Sequence, residues 1–265
     1  MKCLSIVLVV VCCLVGVAED KSDLASLRER ANGGDAAAQC LLGSRYRKGE
    51  GVEKNPVEAV KWYRKAAEQG NPWAQYNLAN CYDKGIGVEK DIAEAAKWCC
   101  KAAEQGNVWA QYQMGNRLRD GLGVEKNPVE AVKWYRKAAE KGYEWGQFNL
   151  GECYAKGVGV EKDSAEAVKW YRKAAEKGHI HAQSQLANCY VFGFGVEKDP
   201  VEGVKWYRKA AEKGQRWAQF KLGGCYAQGI GVEKDRSEAV KWYRKAAKQG
   251  VPQAKKALTE LGESL

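Results

Sequence analysis

Residues 52–87 read VEKNPVEAVKWYRKAAEQGNPWAQYNLANCYDKGIG, and this stretch returns along the chain at a fixed step. Its first valine recurs as Val88, Val124, Val160, Val196 and Val232, each followed by Glu-Lys and each 36 residues after the last. Lys-Trp-Tyr-Arg-Lys-Ala-Ala starts at Lys61, Lys133, Lys169, Lys205 and Lys241, while the copy from Lys97 reads Lys-Trp-Cys-Cys-Lys-Ala-Ala. A degenerate opening copy, 23–51, keeps Ala38-Gln39, Gly43, Tyr46, Gly49 and Gly51. Self-similarity at such a period marks a stacked repeat protein.

Each copy reads as two helices, A and B. Helix A starts at Asn55 and its equivalents Asp91, Asn127, Asp163, Asp199 and Asp235, with Glu three residues later, the pattern of a reciprocal capping box. Pro56, Pro128 and Pro200 fall at the first helical position, where a missing N–H does no harm. Gly70, Gly106, Gly142, Gly178, Gly214 and Gly250 end it, giving about fourteen residues between the caps. Ala59, Val60, Trp62, Tyr63, Ala66 and Ala67 form one broad apolar arc. Helix B carries Ala74, Leu78, Cys81 and Tyr82 on one face and ends in Gly85-Ile86-Gly87, whose glycines permit a positive φ. A hairpin with two apolar faces cannot bury both alone, so neighbours must stack. The sequence predicts an all-α, right-handed α-solenoid of about seven helix-turn-helix units, at 23–51, 52–87, 88–123, 124–159, 160–195, 196–231 and 232–265.

Ahead of the repeats stands a leader. Lys2, an apolar run from Leu4 to Val15 and the small residues of Gly16-Val17-Ala18 read as a signal peptide, 1–18, cleaved after Ala18. The region 19–265 is then expected to be exported, periplasmic or secreted, and soluble, because no run of 18 apolar residues follows. Among 265 residues, 29% are charged and 45% apolar, which excludes a disordered chain. The net charge of +10 favours acidic partners, although charges of both signs interleave along the sequence. That interleaving, together with export, argues against nucleic acid.

The motifs Trp-Tyr-Arg-Lys-Ala-Ala-Glu-x-Gly (from Trp62), Ala-Gln-x-x-Leu-Gly-x-x-Tyr (from Ala218) and Gly-x-Gly-Val (from Gly85) resemble Sel1-like repeats, relatives of the tetratricopeptide repeat, over about residues 23–257. The resemblance implies a superhelical scaffold that binds other proteins, often outside the cytoplasm. Members act in host interaction, envelope regulation or signalling. It also brings in the cysteine-rich proteins of Helicobacter, to which penicillin-binding or β-lactamase activity has been assigned.

The residues offer little to such chemistry. A penicillin-recognising serine enzyme needs Ser-x-x-Lys, and no serine here has lysine three residues on: Arg47 follows Ser44, and Lys241 lies four beyond Ser237. The sequence points to no catalytic residues, no metal and no cofactor. His179 and His181 diverge on a helix and have no cysteine pair at short spacing, so they read as plain surface substitutions.

Seven cysteines follow the leader. Cys81, Cys153, Cys189 and Cys225 share one position on the apolar face of helix B, where stacked equivalents lie about 9–10 Å apart, too far to bridge. They read as small buried apolar residues. The Helicobacter proteins pair a cysteine on helix A with one on helix B, a pattern that most units here lack. One bridge, Cys81 to Cys99 or Cys100, stands as a hypothesis, since the two candidates lie on the helix A that follows the helix B of Cys81.

Two rows compete as a binding surface. Lys61, Arg64, Lys133, Arg136, Lys169 and Arg172 on helix A form either solvated faces with Arg–Glu pairs one turn apart, or a positive groove for an acidic or extended peptide. Trp73, Trp109, Trp145 and Trp217 share one position at the start of helix B, with His181 in the intervening copy. That position lies off the core stripe, so the rings either fold over the A–B turn or form an exposed ledge suited to recognition. The reading is a non-enzymatic scaffold binding a protein or peptide, with the ledge and the nearby basic row as the contact surface. A cell-wall or glycan-binding module and a β-lactamase-like hydrolase are the alternatives.

Overall fold

A computed structural model describes residues 23–264; the leader read as a signal peptide lies outside them. Among the described residues there are fourteen α-helices and no strand, the all-α solenoid class that the sequence predicts. The chain divides into two compact units, up to Lys126 and from Asn127.

The first unit holds α1 (23–32), α2 (Ala36–Lys48), α3 (Pro56–Glu68), α4 (Pro72–Lys84), α5 (Ile92–Glu104) and α6 (Val108–Asp120). The second holds α7 (Pro128–Glu140), α8 (Glu144–Lys156), α9 (Ser164–Glu176), α10 (Ile180–Phe192), α11 (Pro200–Glu212), α12 (Arg216–Gln228), α13 (Arg236–Lys248) and α14 (Pro252–Glu260). Odd numbers from α3 are helices A and even numbers are helices B. Every helix A runs to thirteen residues, one fewer than its caps suggest.

Helix A begins where expected, but its capping box closes only on one side. Asn55 Oδ1 accepts the Glu58 amide at 3.0 Å, and Asp163 Oδ1 accepts the Glu166 amide at 2.9 Å. The reciprocal half is absent: Glu58 accepts from Lys61, and the Asn55 N–H donates to the Tyr46 carbonyl at 2.8 Å. The same main-chain bond ties Asp163 to Tyr154 and Asp199 to Tyr190. The preceding helix B therefore satisfies the amide that an isolated helix would leave to the glutamate.

The loop that leaves helix B closes onto the first turn of the preceding helix A through one glycine per repeat. Gly87 has φ +70°, and a Cβ there would lie 2.1 Å from the Pro56 carbonyl oxygen; Gly159 stands the same way to Pro128, and Gly195 to Ser164. The more extensive helix interfaces run across this loop, α2 on α3 and α4 on α5 in the first unit, α8 on α9 and α10 on α11 in the second.

The core is made of the expected arcs: Ala59, Val60, Tyr63, Ala66 and Ala67 from α3 pack with Ala74, Leu78 and Cys81 from α4, while Trp62 turns back onto Leu27, Ala31, Ala38 and Leu42 of α1 and α2. Small residues set the spacing, since a Cβ on Gly151 would meet the Tyr171 ring at 2.8 Å. A buried glutamine per repeat ties helices together. Gln75 Nε2 donates to the Ala67 carbonyl at 3.1 Å, and Gln105 Nε2 reaches the Gln75 Oε1 at 2.7 Å; Gln249 and Gln219 repeat this clasp at 2.8 Å. Where lysine stands at the clasping position, as at Lys177 and Lys213, the buried acceptors Gln147 Oε1 and Gln183 Oε1 have no partner.

The third copy departs from the others in a correlated way. Cys99 replaces the buried tyrosine of helix A, and Arg117 replaces the cysteine that faces it eighteen residues on. Arg117 is buried beside the Cys99 thiol, paired with Asp83 at 2.6 Å and donating to the Leu122 carbonyl at 3.2 Å. The smaller sulfur makes room for the larger guanidinium.

All seven described cysteines are thiols, and the bridge from Cys81 to Cys99 or Cys100 is not formed. Cys99 Sγ is turned toward α6, 3.5 Å from the Ala110 carbonyl, while Cys100 Sγ lies 3.4 Å from Glu104 on its own helix. Cys81, Cys153, Cys189 and Cys225 are buried, and burial pushes Cys189 and Cys225 up to about 11.

Candidate functional site

Helix B starts directly after the left-handed glycine of the A–B turn. The residue at the second helical position therefore leans back over that turn rather than into the core. Trp73, Trp109, Trp145 and Trp217 stand there, 48%, 38%, 40% and 40% exposed. Their rings do not project singly. In the first unit Trp73 and Trp109 approach to 4.7 Å between centroids, tilted by 51°. In the second, Trp145 meets the His179 ring edge-on at 4.4 Å, and Trp217 lies 6.4 Å from Phe220.

His179 departs from the surface role expected of it. It is only 5% exposed, covered by the Phe148 and Trp145 rings, and its N–H donates to the Ala174 carbonyl at 3.0 Å as in the other copies. It caps α10 in place of Asn71 or Asn107, with Nδ1 accepting the Ala182 amide at 3.1 Å. Burial holds its pKa down at about 4, with the nearby His181 adding to the effect. Its Nε2 is buried and has no partner. His181 is exposed, in the place that tryptophan takes elsewhere.

These residues share a groove of about 610 Å³ along three successive A–B turns of the second unit. Trp145, His179, His181 and Trp217 supply its aromatic wall; Lys177, Lys213 and Arg216 supply cations, and Glu144 an acid. The Lys177 ammonium donates to the Gly142 carbonyl at 2.6 Å and Lys213 to Gly178 at 3.3 Å, so each lysine is carried by the turn before it.

The basic row of helix A is not part of this groove. Lys61, Lys133 and Lys169 pair with Glu58, Glu130 and Glu166 on their own helices, at 3.0, 2.8 and 2.9 Å. Arg64, Arg136 and Arg172 do not reach the glutamates one turn on. Each lies over a helix B tyrosine, Tyr82, Tyr154 or Tyr190, and donates to its hydroxyl, at 2.7 Å for Arg136 and 2.6 Å for Arg172. A guanidinium gains more from a ring face and a hydroxyl than from a solvated i,i+4 carboxylate. Of the basic residues that do accompany the ledge, Lys177 and Lys213 went unnoticed in the sequence; Arg216 is the third. The signal for the two lysines was the change from Gln69 and Gln105 to lysine at the equivalent turn position.

Also missed was the pair Phe192 and Phe194, both exposed, with rings 5.7 Å apart at the end of α10. They replace Lys84 and Ile86 of the second copy and border a cavity of about 390 Å³ with Tyr171, Asn188 and Cys189. Nearby, burial alone would raise the Glu152 carboxyl, but hydrogen bonds from Lys156, Tyr171 and Gln185 outweigh it and hold the group below the usual carboxylate range. Among the described residues no cluster of His, Cys, Asp and Glu is arranged to hold a metal. None of their helices is long and apolar enough to cross a membrane.

Six stretches, 36–71, 74–107, 110–143, 146–179, 180–215 and 218–251, match the Sel1 repeat. The chain belongs to the Sel1-repeat family. The matched stretches each run from helix B into helix A, the phase of the more extensive helix interfaces. A Sel1 repeat protein from Oxalobacter formigenes is 43% identical, with 80% of this chain and 85% of that one covered and a TM-score of 0.72. A protective antigen present in uropathogenic Escherichia coli strains, described as displaying an SLR fold, is 40% identical with a TM-score of 0.84. The match covers 88% of this chain but only 50% of the antigen. A search of curated proteins gave no match. Sel1-repeat arrays are scaffolds that in general mediate protein–protein interactions.

Proposed function

We propose that the protein is an exported, non-enzymatic scaffold that binds a protein or peptide across the A–B turns. The carrying observation is the repeated aromatic ledge, Trp73 with Trp109 in the first unit and Trp145, His181 and Trp217 in the second, half-open to solvent at one position of the repeat. Stacking does not require a large aromatic there, and tryptophan is enriched where truncation costs an interface ~2 kcal/mol or more. Export rests on the leader 1–18 and the absence of Ser-x-x-Lys supports a non-enzymatic role.

The test is crosslinked capture from envelope or host extract with the chain lacking residues 1–18. Replacing Trp109 and Trp145 by Glu is expected to abolish specific capture with the melting temperature nearly unchanged. A large loss of stability would make the tryptophans structural and end this reading. Because half-exposed indoles also stack on sugar rings, a glycan-binding module is the second reading. Co-sedimentation with peptidoglycan that needs the same tryptophans would favour it, and turnover of nitrocefin would favour a hydrolase over both.

A further inference from the structure

His179, in the lining of the groove of the second unit, carries a polar group that the fold itself leaves unused. His179 Nδ1 accepts the Ala182 amide, so the proton of the neutral ring sits on Nε2. That N–H is buried and no acceptor in the protein reaches it. Phe148 stacks on one face of the ring at 4.6 Å and Trp145 stands across it at 4.4 Å, so the ring is held in place with its donor unanswered. A buried donor without a partner is costly, and a ligand that brings an acceptor would satisfy it. Asparagine caps the equivalent helices α4 and α6, so the cap alone does not require histidine.

The charges around it point to the kind of acceptor. Lys177, Lys213 and Arg216 outnumber the single carboxylate of Glu144 along the groove. We propose that this groove, from Trp145 to Trp217, seats an extended acidic peptide, one carboxylate accepting from His179 Nε2 and facing the cations of Lys213 and Arg216. This deepens the scaffold reading and rests on it. A peptide fits better than a polyanion that offers acceptors alone, because Glu144 and Gln249 line the groove with acceptors for main-chain amides as well. Three turns at helix-packing spacing span roughly 20 Å, about six extended residues. Trp145, His181 and Trp217 then offer ring faces to the peptide's apolar side chains.

Fluorescence anisotropy with a labelled glutamate-rich peptide carrying a central tryptophan, and with its glutamine counterpart, tests this on the protein lacking residues 1–18. The glutamate peptide is expected to bind at least tenfold tighter at low salt and to shift the His179 Nε2–H resonance downfield. His179→Asp keeps the helix cap but removes the donor and adds a repelling charge; it should weaken the glutamate peptide at least thirtyfold. His179→Asn, the cap that α4 and α6 use, keeps a shorter donor and should fall between the two. Equal binding of both peptides, or full affinity in folded His179→Asp, overturns the proposal. Partner capture that excess glutamate peptide does not compete would leave the scaffold reading intact and remove this seat. Peptide binding without any capture would do the reverse.

Discussion

The swap of Cys99 and Arg117 against the repeat pattern provides a sharp test of how the hairpins pack. Elsewhere the same two positions hold Tyr63 with Cys81, Tyr171 with Cys189, and Tyr207 with Cys225. Changing Cys99 to Tyr alone drives a ring into space filled by the Arg117 guanidinium, and overpacking of that kind costs about 1–3 kcal/mol. Changing Arg117 to Cys alone removes the 2.6 Å pair with Asp83 and the bond to the Leu122 carbonyl, and leaves a void between two small side chains. Breaking a buried pair costs up to about 3–5 kcal/mol, but Asp83 is partly solvated, so about 3 kcal/mol is expected here. The double variant rebuilds the tyrosine–cysteine pair of the other copies and should cost no more than about 1 kcal/mol. The coupling energy is then about 3–5 kcal/mol in favour of the double variant. Urea denaturation followed by far-UV circular dichroism gives the three values, and hydrogen exchange at α5 and α6 amides localises them. If the single effects add to within about 0.5 kcal/mol, the two residues do not share one space and the reasoning fails.

Gly87→Ala should lower the melting temperature far more than Gly70→Ala. Both glycines have positive φ, but a Cβ at Gly87 meets the Pro56 carbonyl at 2.1 Å and one at Gly70 meets nothing; similar melting temperatures would contradict this. His179 is depressed to about 4 by burial, against about 6.5 when unfolded, so the unfolded chain binds the extra proton between those values. Its stabilising contribution, on the order of 2 kcal/mol, should be complete above pH 6.5 and lost as pH falls toward 4; His179→Asn should flatten that slope in urea midpoints. In the folded protein a disulfide-exchange reagent should modify Cys40 and Cys100 first, with Cys81, Cys99, Cys153, Cys189 and Cys225 protected until unfolding. Titration of the denatured, unreduced protein lacking residues 1–18 should find at least three thiols, and finding one or none would contradict the packing of the helix B row.

The periodic part of the fold was legible because caps and breakers act locally. Asn55, Pro56 and Gly70 fix a helix from its own chemistry, and the 36-residue step repeats that solution. What escaped were choices made between helices. The Asn55 amide finds Tyr46 across the turn rather than Glu58 on its own helix. Arg64 finds Tyr82 rather than Glu68, eighteen residues on instead of four. The helical arc placed His179 at the surface, because it treats a cap residue as if its side chain radiated outward. The turn instead brings that side chain beneath Phe148 and Trp145. Position on the repeat located the tryptophan ledge, but the lysines beside it were visible only as departures from the repeat.

The glutamine clasp has a mechanical consequence. Stretching the second unit from its ends loads every joint equally in series, so the joint with the fewest cross-ties yields first. Gln249 still grips Gln219, whereas Lys177 and Lys213 leave Gln147 and Gln183 without that grip. At those two joints the lysines hold the Gly142 and Gly178 carbonyls instead, so under tension they part at exposed bonds within reach of water, whereas the joint of α12 and α13 also loads a part-buried clasp.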